Sequence, residues 1–255
     1  MPPRTDGWRP LACLAGLLLL AGCASQPDAG VPPEPPRRQL SELSSDADEA
    51  NPILIYDPIE RTNRGLYKLN ARVDEAILLP VVDTYQEVTP SFLRRRVSSF
   101  FLNLGEVGNF TNAVLQLRPK KAGQTLVRFA LNSTIGLLGL FDVASEAGIS
   151  RQKEDFGQTL GYWGVPEGPY LMLPLLGPSN LRDGVGRVMD SFVLNFDVVP
   201  DVVDHSDGYE VAQYGLRPID VRYRTGFRYH QTGSPFEYQL VRFAYTQARR
   251  LQILQ

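Results

Sequence analysis

The stretch from Asp155 to Gly177, DFGQTLGYWGVPEGPYLMLPLLG, constrains the fold of this chain more than any other. Between Phe156 and Leu181 the sole charged residue is Glu167. Gly157, Gly161, Gly164, Gly168 and Gly177 punctuate it, and Pro166, Pro169, Pro174 and Pro178 forbid a long helix. The apolar run at its centre is too short to cross a bilayer. So interrupted and so weakly charged a backbone suits an irregular hairpin or loop packed against an apolar surface, protein or lipid. Its turn is expected within Tyr162 to Leu173, with Gly164 and Gly168 on either side.

The N-terminus supplies an address. Arg4 and Arg9 precede an apolar run from Leu11 to Ala21, which ends in Leu20-Ala21-Gly22-Cys23. A basic start, a short apolar middle and small residues at the end make a secretory signal. Its last four residues resemble the bacterial lipobox, which implies cleavage before Cys23, a diacylglyceryl thioether on its sulfur and an acylated amine. Residues 1–22 are therefore expected to leave as signal peptide, and residues 23–50, with VPPEPP at their heart, to form a lipidated Pro/Ser-rich disordered tether. Ala24 and Ser25 follow the cysteine where an inner-membrane retention signal would carry aspartate, which favours the outer membrane. Cys13 leaves with the signal and Cys23 is acylated, so no pair remains to oxidise.

The rest, residues 51–255, reads as one mainly α domain. Asp57-Pro58-Ile59-Glu60 carries an N-cap, Pro at N1 and Glu at N3, and Ile59, Asn63, Leu66, Leu69, Asn70, Val73 and Ile77 follow at helical spacing. Asn63 and Asn70 on that stripe either bond a neighbouring helix end or border a polar cavity; buried amides are usually satisfied by backbone, which favours the first. Thr89-Pro90 is read as a second capped start, and Arg94-Arg95-Arg96 on the next turns as either a phosphate contact or a solvated face. Residues 120–134 are expected to be helical with Ala122, Leu126, Phe129, Ala130 and Ser133 on one face, followed by an apolar patch from Ile135. Further helices are expected from Leu181, from Gly208 to about Arg228, and from Pro235 to Ile253 with Phe236, Leu240, Phe243 and Gln247 aligned.

Catalytic signals are absent. His205 and His230 lie without cysteine or paired-histidine spacing, so no metal site is expected, and neither a nucleophile elbow nor a phosphate-binding glycine loop occurs. The net charge of −2 gives no field for nucleic acid, which the secretory signal also excludes. Asp142, Asp183 and Asp190 read as caps or neighbours of helices.

Several separated motifs together resemble the MlaA/VacJ lipoproteins: Phe156-Gly-Gln-Thr-Leu-Gly, Gly164-Val, Gly168-Pro-Tyr, Leu173-Pro-Leu-Leu-Gly and Leu181-Arg-Asp-Gly in the centre. Asp57-Pro-Ile-Glu with Asn63-Arg, and Phe129-Ala-Leu-Asn-Ser-Thr-Ile-Gly with Phe141-Asp-Val-Ala, flank them. The resemblance implies a ring of helices in the inner leaflet of the outer membrane, facing the periplasm, with an amphipathic channel through it. It implies association with a trimeric porin, removal of phospholipids misplaced in the outer leaflet, and handover to a soluble MlaC-like carrier. Phospholipid is then cargo, and no cofactor is expected. By the same resemblance Phe156, Gly157, Thr159, Gly161, Gly164, Pro166, Gly168, Tyr170, Leu173, Pro174 and Gly177 belong to the channel's hairpin, with Asn63, Asn70 and Asn132 as polar lining. The chain departs from the family pattern at Arg61-Thr62, where Gly-Phe is common, and at Pro166, where a hinge glycine can occur. Two other readings stand beside it: a structural adaptor that anchors a porin complex without a lipid path, and a lipid hydrolase with Ser179 near Asp183 as its best case.

Overall fold

A computed structural model describes residues 55–196 and 211–254. The expected signal, Cys23, the tether and His205 lie outside those residues. The described chain is mainly helical with one two-stranded sheet. Helix α1 (Glu60–Val73) follows a turn at Pro58 and Ile59, and Ile59 occupies the N-cap with no side-chain bond. Asp57 therefore does not cap it. Its carboxylate instead accepts from Asn63 Nδ2 (2.8 Å), the Tyr238 hydroxyl (2.5 Å) and Arg242 Nη1 (3.0 Å). Three side-chain donors, one of them cationic, hold a buried carboxylate better than one backbone amide would.

A π-helical turn at Asp74–Leu78 leads into α2 (Leu79–Val88), and α3 (Ser91–Leu115) runs unbroken from Pro90. Thr89 ends α2 rather than capping α3, and its carbonyl accepts from Arg94 Nη1 at 2.7 Å. Helix α4 (Pro119–Thr134) packs along α3. Two short helices follow, α5 (Val143–Glu146) and α6 (Phe156–Tyr162), capped by the side chains of Asp142 and Asp155. Strands β1 (Tyr170–Leu173) and β2 (Gly177–Asn180) pair antiparallel, with Tyr170 opposite Asn180 and Leu173 opposite Gly177. The hairpin turn is thus Pro174-Leu175-Leu176, downstream of the expected one. Gly164, Pro166 and Gly168 sit in the exposed link between α6 and β1. Helix α7 (Leu181–Phe196), a π-helical turn at Val211–Leu216, α8 (Arg217–Arg224) and α9 (Glu237–Leu254) complete the described elements.

The helical periods are as expected, but the buried faces are more polar than expected, and several leucines of the expected stripes are exposed. In α1 the buried residues are Asn63, Tyr67, Asn70 and Ala71, while Leu69 is exposed. In α4 they are Ala122, Thr125, Arg128 and Asn132, and Leu126 is exposed. In α9 Glu237, Tyr238, Gln239, Arg242 and Thr246 are buried while Leu240 is exposed. The period of a stripe fixes which residues share a face, but the surrounding solvent decides which face turns inward. Buried polar side chains outnumber buried apolar ones among the described residues, the reverse of a water-soluble interior. The principal apolar cluster is small and aromatic: Tyr67, Tyr170, Met172 and Tyr238, edged by Ile55, Leu66, Tyr229, Val241 and Tyr245. No described helix is long and apolar enough to cross a membrane.

Candidate functional site: a clamped hairpin on a polar seam

Helix α1 holds the hairpin through two asparagines. Asn63 donates to the Tyr170 carbonyl (3.0 Å) and accepts from the Met172 amide (2.9 Å). Asn70 donates to the Leu173 carbonyl (2.9 Å) and accepts from the Leu175 amide (2.8 Å). The spacing explains the match. Seven residues of helix rise about 10.5 Å, and three residues of strand advance about 10 Å. Two carboxamides on one helix face therefore imitate the edge of a third strand. Asn63 and Asn70 are 1% and 3% exposed. Their carboxamides bond the hairpin backbone, and Asn63 also donates to Asp57, so both side chains are engaged within the protein. Asn132 is likewise buried, donating to Asp142 and accepting from the Ala144 amide.

A charged clasp joins the far end of the segment to α9. Arg249 spans two carboxylates, Asp155 at 2.6 Å and Asp183 at 2.8 Å, and the Tyr245 hydroxyl donates to Asp183 at 2.7 Å. Burial pushes both acids up, but the bonds and charge of Arg249 more than offset it and hold both below the usual carboxylate range. Asp190 goes the other way. Burial raises it despite bonds from the Phe156 amide and Asn112, and neighbouring Asp155 adds to the rise. Helices α6 and α7 come so close that a Cβ on Gly186 would lie 2.3 Å from the Gly157 nitrogen, so Gly186 is needed for packing. Gly157 thus belongs to a helix crossing rather than to a hinge.

A polar seam runs between α3 and α4 and on to α6. Arg128 and Glu106, 2% and 1% exposed, pair at 3.0 Å, and Arg128 also takes Asp142 at 3.0 Å. Glu106 accepts from Asn109, whose carbonyl takes the Glu154 amide. Glu154 accepts from Gln116 and Lys121, Gln116 also donates to Thr159, and Thr159 reaches Asn112, which donates to Asp190. Side chains that a water-soluble fold would place outside thus satisfy one another inside. Sequence reasoning missed Glu106, Asn109, Asn112, Gln116, Arg128 and Glu154. Their signal is a polar stripe at helical spacing opposite an apolar one.

The residues expected to form one hairpin fall into three places. Phe156, Gly157, Thr159 and Gly161 lie on α6; Gly164, Pro166 and Gly168 lie in the link; Tyr170, Leu173, Pro174 and Gly177 belong to the hairpin. Within the basic triplet, Arg94 stacks on Tyr223 and Arg96 lies against Phe92 and Phe141, while Arg95 is exposed. Ser179 is fully buried with its hydroxyl on the Asn180 carbonyl, so it is not presented to a substrate. Among the described residues no group of His, Cys, Asp and Glu side chains is arranged to hold a metal.

This arrangement has relatives. The MlaA lipoprotein family matches residues 55–252. The chain belongs to that family. An uncharacterized protein of Rickettsia typhi is 35% identical over 169 residues, which is 66% of each chain. The Escherichia coli intermembrane phospholipid transport system lipoprotein MlaA is 38% identical over 140 residues, 53% of this chain and 56% of that one. The Haemophilus influenzae protein of the same name is 29% identical over 216 residues, covering 83% and 76%. A solved structure from work on the maintenance of bacterial outer membrane lipid asymmetry is 30% identical with a TM-score of 0.62, covering 78% of this chain and 100% of that one.

Proposed function

We propose that this chain is a lipid-anchored outer-membrane protein that withdraws phospholipids misplaced in the outer leaflet and passes them to a periplasmic carrier. The observation that carries this reading is the polar burial along α1, α4 and α9, with amides and ions inside while Leu69, Leu126, Val127 and Leu240 are exposed. Water penalises such an exterior, whereas the acyl chains of a leaflet do not. Family membership supports the reading, and the names of the E. coli and H. influenzae relatives support phospholipid as the cargo.

In this reading the helices form a ring in the periplasmic leaflet, with the Cys23 acyl groups as anchor and an amphipathic channel as path. A trimeric porin is its membrane partner, and an MlaC-like carrier receives the lipid. The protein acts by positioning, without catalysis. A deletion strain complemented with the full-length chain tests this by chemical labelling of surface phospholipid. Wild type should restore a phospholipid-poor surface, and Cys23→Ala and a Leu175→Ser/Leu176→Ser double variant should not. Were the double variant to match wild type, the structural adaptor would be the better reading; release of fatty acid or lysophospholipid from pure lipid would point to a hydrolase.

A further inference from the structure

Among the described residues, the non-glycine residues with positive φ are Leu117, Leu137, Leu138, Leu175 and His230. A left-handed backbone costs an L residue about 1 kcal/mol, which glycine or asparagine relieves. His230 sits among Gln231, Thr232 and Ser234, as a turn facing water would. The four leucines instead occupy three turns and are 60–71% exposed. Their neighbours Leu115, Ile135, Leu140 and Leu176 are exposed as well.

Most backbone amides of these turns are bonded within the protein. In the first, the Gln116, Leu117 and Arg118 amides donate to the carbonyls of Asn112, Val114 and Ala113. In the second, the amides of Gly136, Leu138, Gly139, Leu140 and Phe141 all donate to carbonyls between Leu131 and Leu137. In the third, Leu175 donates to Asn70, Leu176 donates to Pro174, and Pro174 has no N–H. Each tip also has a carbonyl taken by a long side chain from another element. Trp163 Nε1 bonds Leu115 at 3.0 Å, Arg96 Nη1 bonds Leu140 at 3.2 Å, and Arg187 Nη1 bonds Leu176 at 3.3 Å. Turns in water leave such groups to solvent, whereas backbone in hydrocarbon must be satisfied within the protein.

We propose that these three leucine-tipped turns are immersed among phospholipid acyl chains, and that Trp163, Arg96 and Arg187 are the donors that seal their tip carbonyls. The aliphatic stems of the two arginines tolerate such a boundary, and Arg96 is further shielded by the Phe92 and Phe141 rings at 4.7 and 4.1 Å. The assignment rests on the reading that the exterior faces a leaflet. It gives Arg96 a backbone to seal in place of the lipid phosphate that a basic triplet suggests.

The test uses the lipidated chain in phosphatidylethanolamine/phosphatidylglycerol vesicles, in which Trp163 is the sole tryptophan once Trp8 has left with the signal. Lipids brominated on their acyl chains should quench Trp163, and aqueous iodide should not. An environment-sensitive dye on Leu138→Cys or Leu175→Cys should emit as in hydrocarbon. Adding Arg96→Met to the first, or Arg187→Met to the second, should return the dye toward water-like emission at unchanged helix content, while Arg95→Met should not. A dye on Leu126→Cys separates the two possible failures. If it is quenched by brominated lipid while the tips remain open to iodide, the immersion proposal falls and the leaflet reading stands. If it too is open to iodide, both fall. Unchanged emission after Arg96→Met and Arg187→Met would overturn the sealing role alone.

Discussion

The hairpin region and the α3–α4 pair solve one problem in opposite ways. Around the hairpin, an aromatic cluster supplies the packing and the buried asparagines serve backbone. Between α3 and α4, buried side chains serve one another, with Arg128 and Glu106 at the centre. The first arrangement can lose a polar residue and keep an apolar core behind it. The second has little apolar packing to fall back on, because its apolar faces point outward. The comparison teaches that the seam is the fragile half, and that its integrity depends on complete pairing.

Unfolding of the detergent-solubilised chain by denaturant would break or sharpen that contrast. The largest effect is expected for Arg128→Met, which removes the cation that pairs with buried Glu106 and with Asp142 and should cost about 3–5 kcal/mol. If the seam is a matter of pairing, adding Glu106→Gln should recover a substantial part, a non-additivity measurable as a double-mutant cycle. Asn63→Ala should cost about 2–3 kcal/mol, since the Tyr170 carbonyl and Met172 amide lose their partner. A cost equal to that of Arg128→Met would erase the distinction between the regions.

Acid should act on the clasp next. Asp155 and Asp183 titrate below their ordinary values in the folded chain, so their contribution is present above about pH 4 and is lost as pH falls through the folded values. Asp190, raised by burial, works the other way: stability is recovered as pH falls through its raised folded value, above the range in which Asp155 and Asp183 lose theirs. Unfolding midpoints measured from pH 7 to pH 3 should therefore fall, and Arg249→Leu should flatten the curve. The smallest effect is expected at Arg250, whose pair with Glu167 is exposed; Arg250→Ala should cost under about 0.5 kcal/mol.

Much of the fold was legible because helical periods survive any choice of solvent. The helix expected from Leu181 is α7, and the period over residues 120–134 is that of α4. Asp142 could be read as a helix neighbour because short acidic caps are local chemistry, whereas the cap at Asp155 was not foreseen. The inward face was not legible, since Leu126 and Arg128 lie on the same helix and only the medium decides which is hidden. The hairpin turn was misplaced for a related reason. Glycines draw attention to a turn, yet Gly164 and Gly168 serve a link, while Leu175 takes the left-handed position that glycine usually holds. The polar seam escaped because its members lie far apart in sequence and none belongs to a catalytic pattern.

The pairing of α1 with β1 has a consequence for the chain before it reaches its membrane. A strand with one neighbour normally offers its other side to any passing strand, which is how exposed sheets seed aggregates. Here Tyr56, Asn63 and Asn70 occupy that side of β1 and leave it no vacancy for a second chain. A protein with this many outward leucines must travel through an aqueous space in the proposed localisation, and it does so with the outer edge of β1 already closed.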